Sequence, residues 1–229
     1  MSDEAARAAR SADRRRRPSG TGAAPRARGL VHFGALVVAL PACAVLVWRG
    51  GAGRGVGVYA VALVGMYAAS ATYHLGSWSP AALRRLRQLD YAMIPVYIMA
   101  CITPYCLLCV PGRVSLVVLG VGWFWAGADV LSTAISFEAT RRFTSVSYLL
   151  LGWLPMVTLP EAIHALSAPQ LALFGLMGFL YTAGAGVLAT RWPDPRPDVF
   201  GYHEVWHAMV VVASACYFVL VWSFAVLRH

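Results

Sequence analysis

The stretch HEVWHAMVVVASACYFVLVWSFAV, residues 203–226, is one apolar run that opens on a pair of histidines. A helix rises about 1.5 Å per residue, and roughly 20 residues cross the hydrocarbon of a bilayer, so this run reads as a membrane span. His203 and His207 stand one helical turn apart, about 6 Å along the axis and about 40° around it, and both imidazoles face one point. That is metal-ligand spacing. Neutral imidazoles suit zinc, which in a catalytic site takes three protein ligands and leaves a fourth position for water. A third ligand must come from another segment.

Working outward, six more apolar runs of similar length precede it, at 30–48, 55–74, 90–110, 113–133, 145–163 and 169–190. The third and fourth meet at Pro111-Gly112, and their combined length of about two spans calls for two helices. Hydrophobic residues make up 59% of the 229, only 13% are charged and the mean hydropathy is +0.62, far from the soluble norm of about 25% charged. The expected fold is all-α, a seven-transmembrane helix bundle over residues 29–229. Five cysteines, Cys43, Cys101, Cys106, Cys109 and Cys216, fall inside apolar runs and read as packing residues, not a disulfide framework.

The net charge of +9 would point to nucleic acid in a soluble protein, but in a membrane protein basic residues mark the cytoplasmic side. All 19 basic residues are arginine. With the N-terminus inside, 15 lie on that side, in the tail and at Arg84, Arg85, Arg87, Arg141, Arg142, Arg191 and Arg196. The other side holds Arg49, Arg54, Arg113 and Arg228. The expected topology is therefore N-terminus cytoplasmic and C-terminus extracytoplasmic, in an inner (plasma) membrane. Residues 1–28, with Arg14 to Arg17 in a row, read as a disordered cytoplasmic tail that sets topology. No nucleic-acid-binding motif, nucleotide loop or soluble enzyme domain is present in the sequence.

Topology brings distant residues together. The seventh span starts on the cytoplasmic side, where the second ends at His74 and the third is expected to begin at Asp90. Ser70 lies one turn before His74, on the same face. Ionisable residues in or beside spans are costly and usually face the bundle interior, where they serve function. Singly, His74 reads as an interfacial residue and Asp90 as a first-turn acid favoured by the helix dipole. Jointly, one Asp and three His delivered to one depth point to a metal site.

Ser70-Ala71-Thr72-Tyr73-His74, Leu89-Asp90-Tyr91 and His203-Glu204-Val205-Trp206-His207 resemble the three signature motifs of the hemolysin III family, within the wider progestin and adiponectin receptor group. The resemblance runs from about residue 30 to the end. It implies that His74, His203 and His207 are zinc ligands, that Asp90 holds and polarises the zinc-bound water, and that Ser70 supports it by hydrogen bonding. Tyr91 departs from the His that many bacterial members carry there, and is not assigned to the metal. The receptor branch and its alkaline ceramidase relatives further imply zinc-dependent hydrolysis of a lipid amide, with membrane lipid as substrate. Zinc on three neutral histidines lowers the pKa of bound water toward about 7 and polarises a carbonyl. Asp90 would serve as general base, then as acid toward the leaving amine.

Three other readings compete with this one. A non-enzymatic membrane sensor or transducer would hold zinc as a structural staple between helices. A cytolytic pore lacks polar helix faces to line it. An intramembrane metalloprotease would use Glu204 of H-E-x-x-H as base, but no third ligand follows His207, and Glu204 is left as a group supporting the site. Asp129 is expected to face inward. His32 reads as interfacial or hydrogen-bonded in the bundle, and His164 and His229 as remote. Trp48, Trp78, Trp123, Trp125, Trp153, Trp192 and Trp222 read as interface anchors. Gly175, Gly178, Ala183, Gly184 and Gly186 read as a close-packing stripe, and Pro95, Pro104 and Pro155 as kinks.

Overall fold

The computed structural model describes residues 27–227, and for residues 138–145 the backbone alone. All but the last two residues of the arginine-rich tail expected over 1–28 lie outside it, as does His229. Among the described residues there is no strand, and seven helices are long and apolar enough to span a bilayer: α1 (Leu30–Gly50), α2 (Val56–Leu75), α3 (Pro80–Cys109), α4 (Arg113–Phe137), α5 (Val146–Ala165), α6 (Ala168–Thr190) and α7 (Tyr202–Ala225). Large apolar side chains cover the outside, with Val61 74% and Phe124 82% exposed, the inverse of a soluble protein. The chain is a multi-pass integral membrane protein.

One boundary differs from expectation. α3 starts at Pro80, ten residues before Asp90, because Ser79 caps it and Pro80 suits the first helical position. The Ser79 hydroxyl accepts from the Ala82 N–H at 3.3 Å. Ala81, Ala82, Leu83, Arg84, Arg85 and Leu86 are strong helix formers, and helix needs no apolar run once it leaves hydrocarbon. Arg84, Arg85 and Arg87 therefore ride on a helix, not a loop, and Asp90 sits nearly three turns in, not in the first turn.

That extension braces the next corner. The backbone stays helical from Arg113 to Trp153 apart from Ser136 (φ −144°, ψ 56°), where the fourth and fifth runs separate. A break strands the carbonyls before it. The Gln88 amide donates to two of them, Thr133 O and Ala134 O, each at 3.4 Å, while the Arg87 guanidinium lies 4.3 Å from the centre of the Phe137 ring.

Inside the bundle, polar side chains repair the helices' irregularities. Pro95 has no N–H for the Tyr91 carbonyl, and the Tyr148 hydroxyl of α5 donates to it at 3.3 Å. After Pro104 the last turn of α3 widens to a π-turn over Tyr105–Cys109, and the Tyr105 N–H bonds Ile102 O. The Cys101 carbonyl is taken instead by the Tyr217 hydroxyl. Tyr97, Tyr181 and Ser214 close a triangle of hydroxyls at 3.0 to 3.2 Å, joining α3, α6 and α7. No disulfide joins any of the five cysteines, four of which are buried.

Two expectations are corrected here. Trp123 and Trp125 lie mid-helix rather than at an interface, and each is drawn inward by its N–H: Trp123 donates to Thr103 Oγ1 at 3.1 Å and Trp125 to Ser147 Oγ at 2.6 Å. Of the glycines on α6, only Gly184 is closely approached, by Trp206; Gly175, Gly178 and Gly186 face open space. Asp129 is buried, with the Ser147 hydroxyl 2.8 and 3.0 Å from its two oxygens, so it ties α4 to α5.

Gly55 enters α2 at φ +83°, and a Cβ there would meet Thr103 Cγ2 at 2.7 Å and the Pro104 backbone nitrogen at 2.9 Å. Gly55→Ala therefore destabilises by about 1–3 kcal/mol from backbone strain alone. Thermal unfolding in detergent checks this, with Gly53→Ala, which faces open space without a left-handed φ, melting as wild type.

Candidate metal centre

Two helix ends build the centre. α2 finishes with Ser70 and His74 on one face, and the Trp78 indole N–H caps its last turn by donating to Thr72 O at 2.9 Å. α7 starts from Gly201, whose N–H is accepted by Glu204 Oε2 at 2.8 Å, while Asp194 Oδ1 accepts the Tyr202 N–H at 2.9 Å. Two carboxylates thus satisfy the first donors of α7 and favour its positive end. They order the turn that bears His203 and His207.

One ring nitrogen each from His74, His203 and His207 lies within 4.8 Å of the others. The His74 and His203 Nε2 atoms are 3.3 Å apart. Zn–N bonds of about 2.0–2.1 Å in a tetrahedron place two ligand nitrogens about 3.3 Å from each other, so this pair already has the separation of two zinc ligands. The ring of His207 is 5.3 Å from that of His74 and 4.4 Å from that of His203, centre to centre. His207 is buried, and its Nδ1 has no hydrogen-bond partner. A buried ring nitrogen without a partner, beside two more imidazoles, is a donor set that zinc fits.

The remaining residues expected at the site arrive with them. Asp90 Oδ2 reaches to 4.0 Å from His74 Nε2, across from α3. Ser70 Oγ is buried near Asp90, but without hydrogen-bond geometry to it or to any other group. The earlier start of α3 at Pro80 leaves Asp90 beside His74 all the same, because the helix carries it nearly three turns inward from that start. Tyr91 turns elsewhere, its ring edge-on to Phe137 at 4.8 Å. His164, in the last turn of α5, belongs to the opposite end of the bundle by the alternation of the helices.

The profile described as "Haemolysin-III related" matches residues 23–218. The chain belongs to the haemolysin-III family. That family lies within the progestin and adiponectin receptor group. The chain is also similar to the "Hemolysin-3 homolog" of Bacillus subtilis (strain 168), 25% identical over 141 residues, which are 62% of this chain and 63% of that relative. The aligned part is thus under two thirds of the relative's length.

This haemolysin-III protein adds residues that its motifs do not contain. His32, at the start of α1, is neither interfacial nor hydrogen-bonded: it is buried, with both ring nitrogens unpartnered, and its ring lies on that of His207. It stands outside the trio of convergent nitrogens. Just before it, the chain crosses the site. The Ala27 N–H bonds Val199 O at 3.0 Å, Arg28 Nε donates to Glu204 Oε1 at 3.0 Å, and Gly29, at φ +84°, packs so close that a Cβ would meet His74 Cβ at 2.8 Å. Both Glu204 oxygens are engaged, one by Arg28 and one by its own helix end, which is the work of a cap and not of a protease base. The signal for His32 was available: α1 starts at the same membrane level as α7, so the topology that gathered His74 and His203 applied to it equally. Arg28 and Gly29 carried no such signal, since a loop contact depends on where the chain turns.

The Glu204 carboxylate is 1% exposed and its partner Arg28 26%. Arg28→Ala leaves a buried carboxylate with only a backbone N–H and destabilises by about 1–3 kcal/mol. Adding Glu204→Gln removes the unpaired charge and restores part of the loss, which a thermal double-mutant cycle in detergent measures.

Proposed function

We propose that this haemolysin-III protein is a zinc-dependent hydrolase of a lipid amide or ester, set in the inner (plasma) membrane with its N-terminus and metal centre on the cytoplasmic side. The reading rests on the three imidazoles of His74, His203 and His207 converging beside the carboxylate of Asp90, 4.0 Å from His74. When bound, zinc would supply a Lewis acid that polarises the scissile carbonyl and acidifies water. His74, His203 and His207 would hold it in their neutral form, leaving its charge undiminished. Asp90 would accept the proton of the attacking water and return it to the departing amine or alcohol, work worth about 10²- to 10⁴-fold in rate. Ser70, unpartnered beside Asp90, would orient that carboxylate by hydrogen bonding. The apolar outer surface supports a lipid substrate, since an acyl chain meets the bundle from the bilayer without crossing water.

A second reading, a sensor or transducer with structural zinc, draws on one observation: His207 is 1% exposed, and an ion there would staple α7 to α2. The two differ at Asp90, which a staple does not use.

Elemental analysis of detergent-purified protein should find about one zinc per chain, lost in His74→Ala, His203→Ala and His207→Ala alike. Asp90→Asn should keep the zinc and lower hydrolysis of N-acyl sphingoid and ester lipids by about 10²- to 10⁴-fold. Zinc that persists in His74→Ala would rule out the centre as built. Stoichiometric zinc without hydrolysis of any lipid amide or ester would transfer the case to the structural reading.

A further inference from the structure

His32 and His207 come from the first and last helices, and their rings lie face to face, centroids 3.8 Å apart and planes within 5°. A His ring turns about a terminal bond with a broad, roughly two-fold preference, so something must choose its plane before it can present a nitrogen to a metal. The usual device is a hydrogen bond from the second ring nitrogen to a carboxylate or carbonyl. Among the described residues neither ring nitrogen of His207 is hydrogen-bonded to a carboxylate or carbonyl, so whichever of them faces the metal, the other gives the ring no such hold. What stands against the ring instead is the flat face of His32. With 3.8 Å between centres, rotating His207 out of plane would drive its edge into that face. Trp206 meets the same ring at 4.9 Å with the planes at 53°, which blocks a second direction.

His32 is itself placed for this. It is 3% exposed, and the Tyr67 ring of α2 meets it at 5.2 Å, tilted by 54°. Neither of its nitrogens makes a hydrogen bond, so its contact with the site is through the ring face. Its nitrogens are not among those that converge with His74 and His203.

We propose that His32 is a positioning residue for the metal centre, fixing the ring plane of the ligand His207 by stacking. The inference rests on His207 being a ligand, as in the function proposed above. It makes α1 a structural member of the centre although α1 contributes no ligand, and it assigns the effect to the ring, not to its nitrogens.

The test compares His32→Ala, which removes the face, with His32→Phe, which keeps a flat ring and removes both nitrogens. The readouts are zinc affinity by chelator competition and the visible spectrum of the cobalt-substituted protein, with gel filtration and circular dichroism checking the fold. His32→Ala should weaken zinc binding by about 10- to 100-fold and alter the cobalt spectrum, as expected for loss of ligand support. His32→Phe should stay within about threefold of wild type, well short of that loss. Wild-type affinity in folded His32→Ala overturns the inference. So does a His32→Phe protein, folded, that binds as weakly as the alanine variant would, because a nitrogen would then matter. Should His32→Ala fail to fold, His32→Leu, which fills the space without a flat ring, takes its place, and wild-type affinity with an unchanged cobalt spectrum in it overturns the inference. A wild-type protein that binds neither zinc nor cobalt overturns the metal centre itself and the stacking role with it, an outcome distinct from the other two.

Discussion

A polar group inside a bundle surrounded by hydrocarbon has to find its partner within the bundle, and the helices of this protein are arranged to meet that demand. Hydrogen bonds that a proline or a π-turn removes from one helix are replaced by a hydroxyl from another: Tyr148 serves the Tyr91 carbonyl and Tyr217 the Cys101 carbonyl. Tyr97, Tyr181 and Ser214 satisfy one another, and Ser147 serves Asp129. Each of these bonds joins two helices, so satisfying the polar groups also sets how the helices lie.

The exceptions to that rule gather in one place. Of the buried side-chain polar atoms without a partner, four belong to His32, Ser70 and His207, all around the meeting of α1, α2 and α7. Leaving such groups unpaired is costly, and a cluster of them marks a site with work beyond packing. The helix ends that hold it do, by contrast, find partners for some of their backbone groups. Glu204 and Asp194 close the start of α7, Trp78 closes the end of α2, and Arg28 draws the preceding chain across both. The chain around the centre is tied down while side chains it presents are left unpaired, an arrangement that binding a metal would complete.

Seven spans were legible because each apolar run has the length of the hydrocarbon core, and membership of the haemolysin-III family was legible in three short motifs. The meeting of His74, His203 and His207 was legible for a related reason: helices of fixed length alternate in direction, so His74 and His203 had to arrive at one end of the bundle. The start of α3 was misread, since apolarity reports where a helix is in lipid, not where it begins, and Ser79-Pro80 was the better signal. Trp123 and Trp125 were misread because an indole N–H has two solutions, an interface or an interior acceptor, and the choice belongs to Thr103 and Ser147 on neighbouring segments.

By itself, then, the chain's pattern of hydrophobicity and its His and Asp positions determined the number of helices, their order and the depth of the candidate ligands, all quantities that follow from distance along a helix. Only the tertiary structure decided which faces touch: that His32 lies on His207, that Arg28 reaches Glu204, and that Gly29 packs against His74. Those contacts depend on the rotation of each helix about its axis and on the path of a loop. Neither is written in the spacing of residues along one helix, because both are set by what the neighbouring helices leave room for.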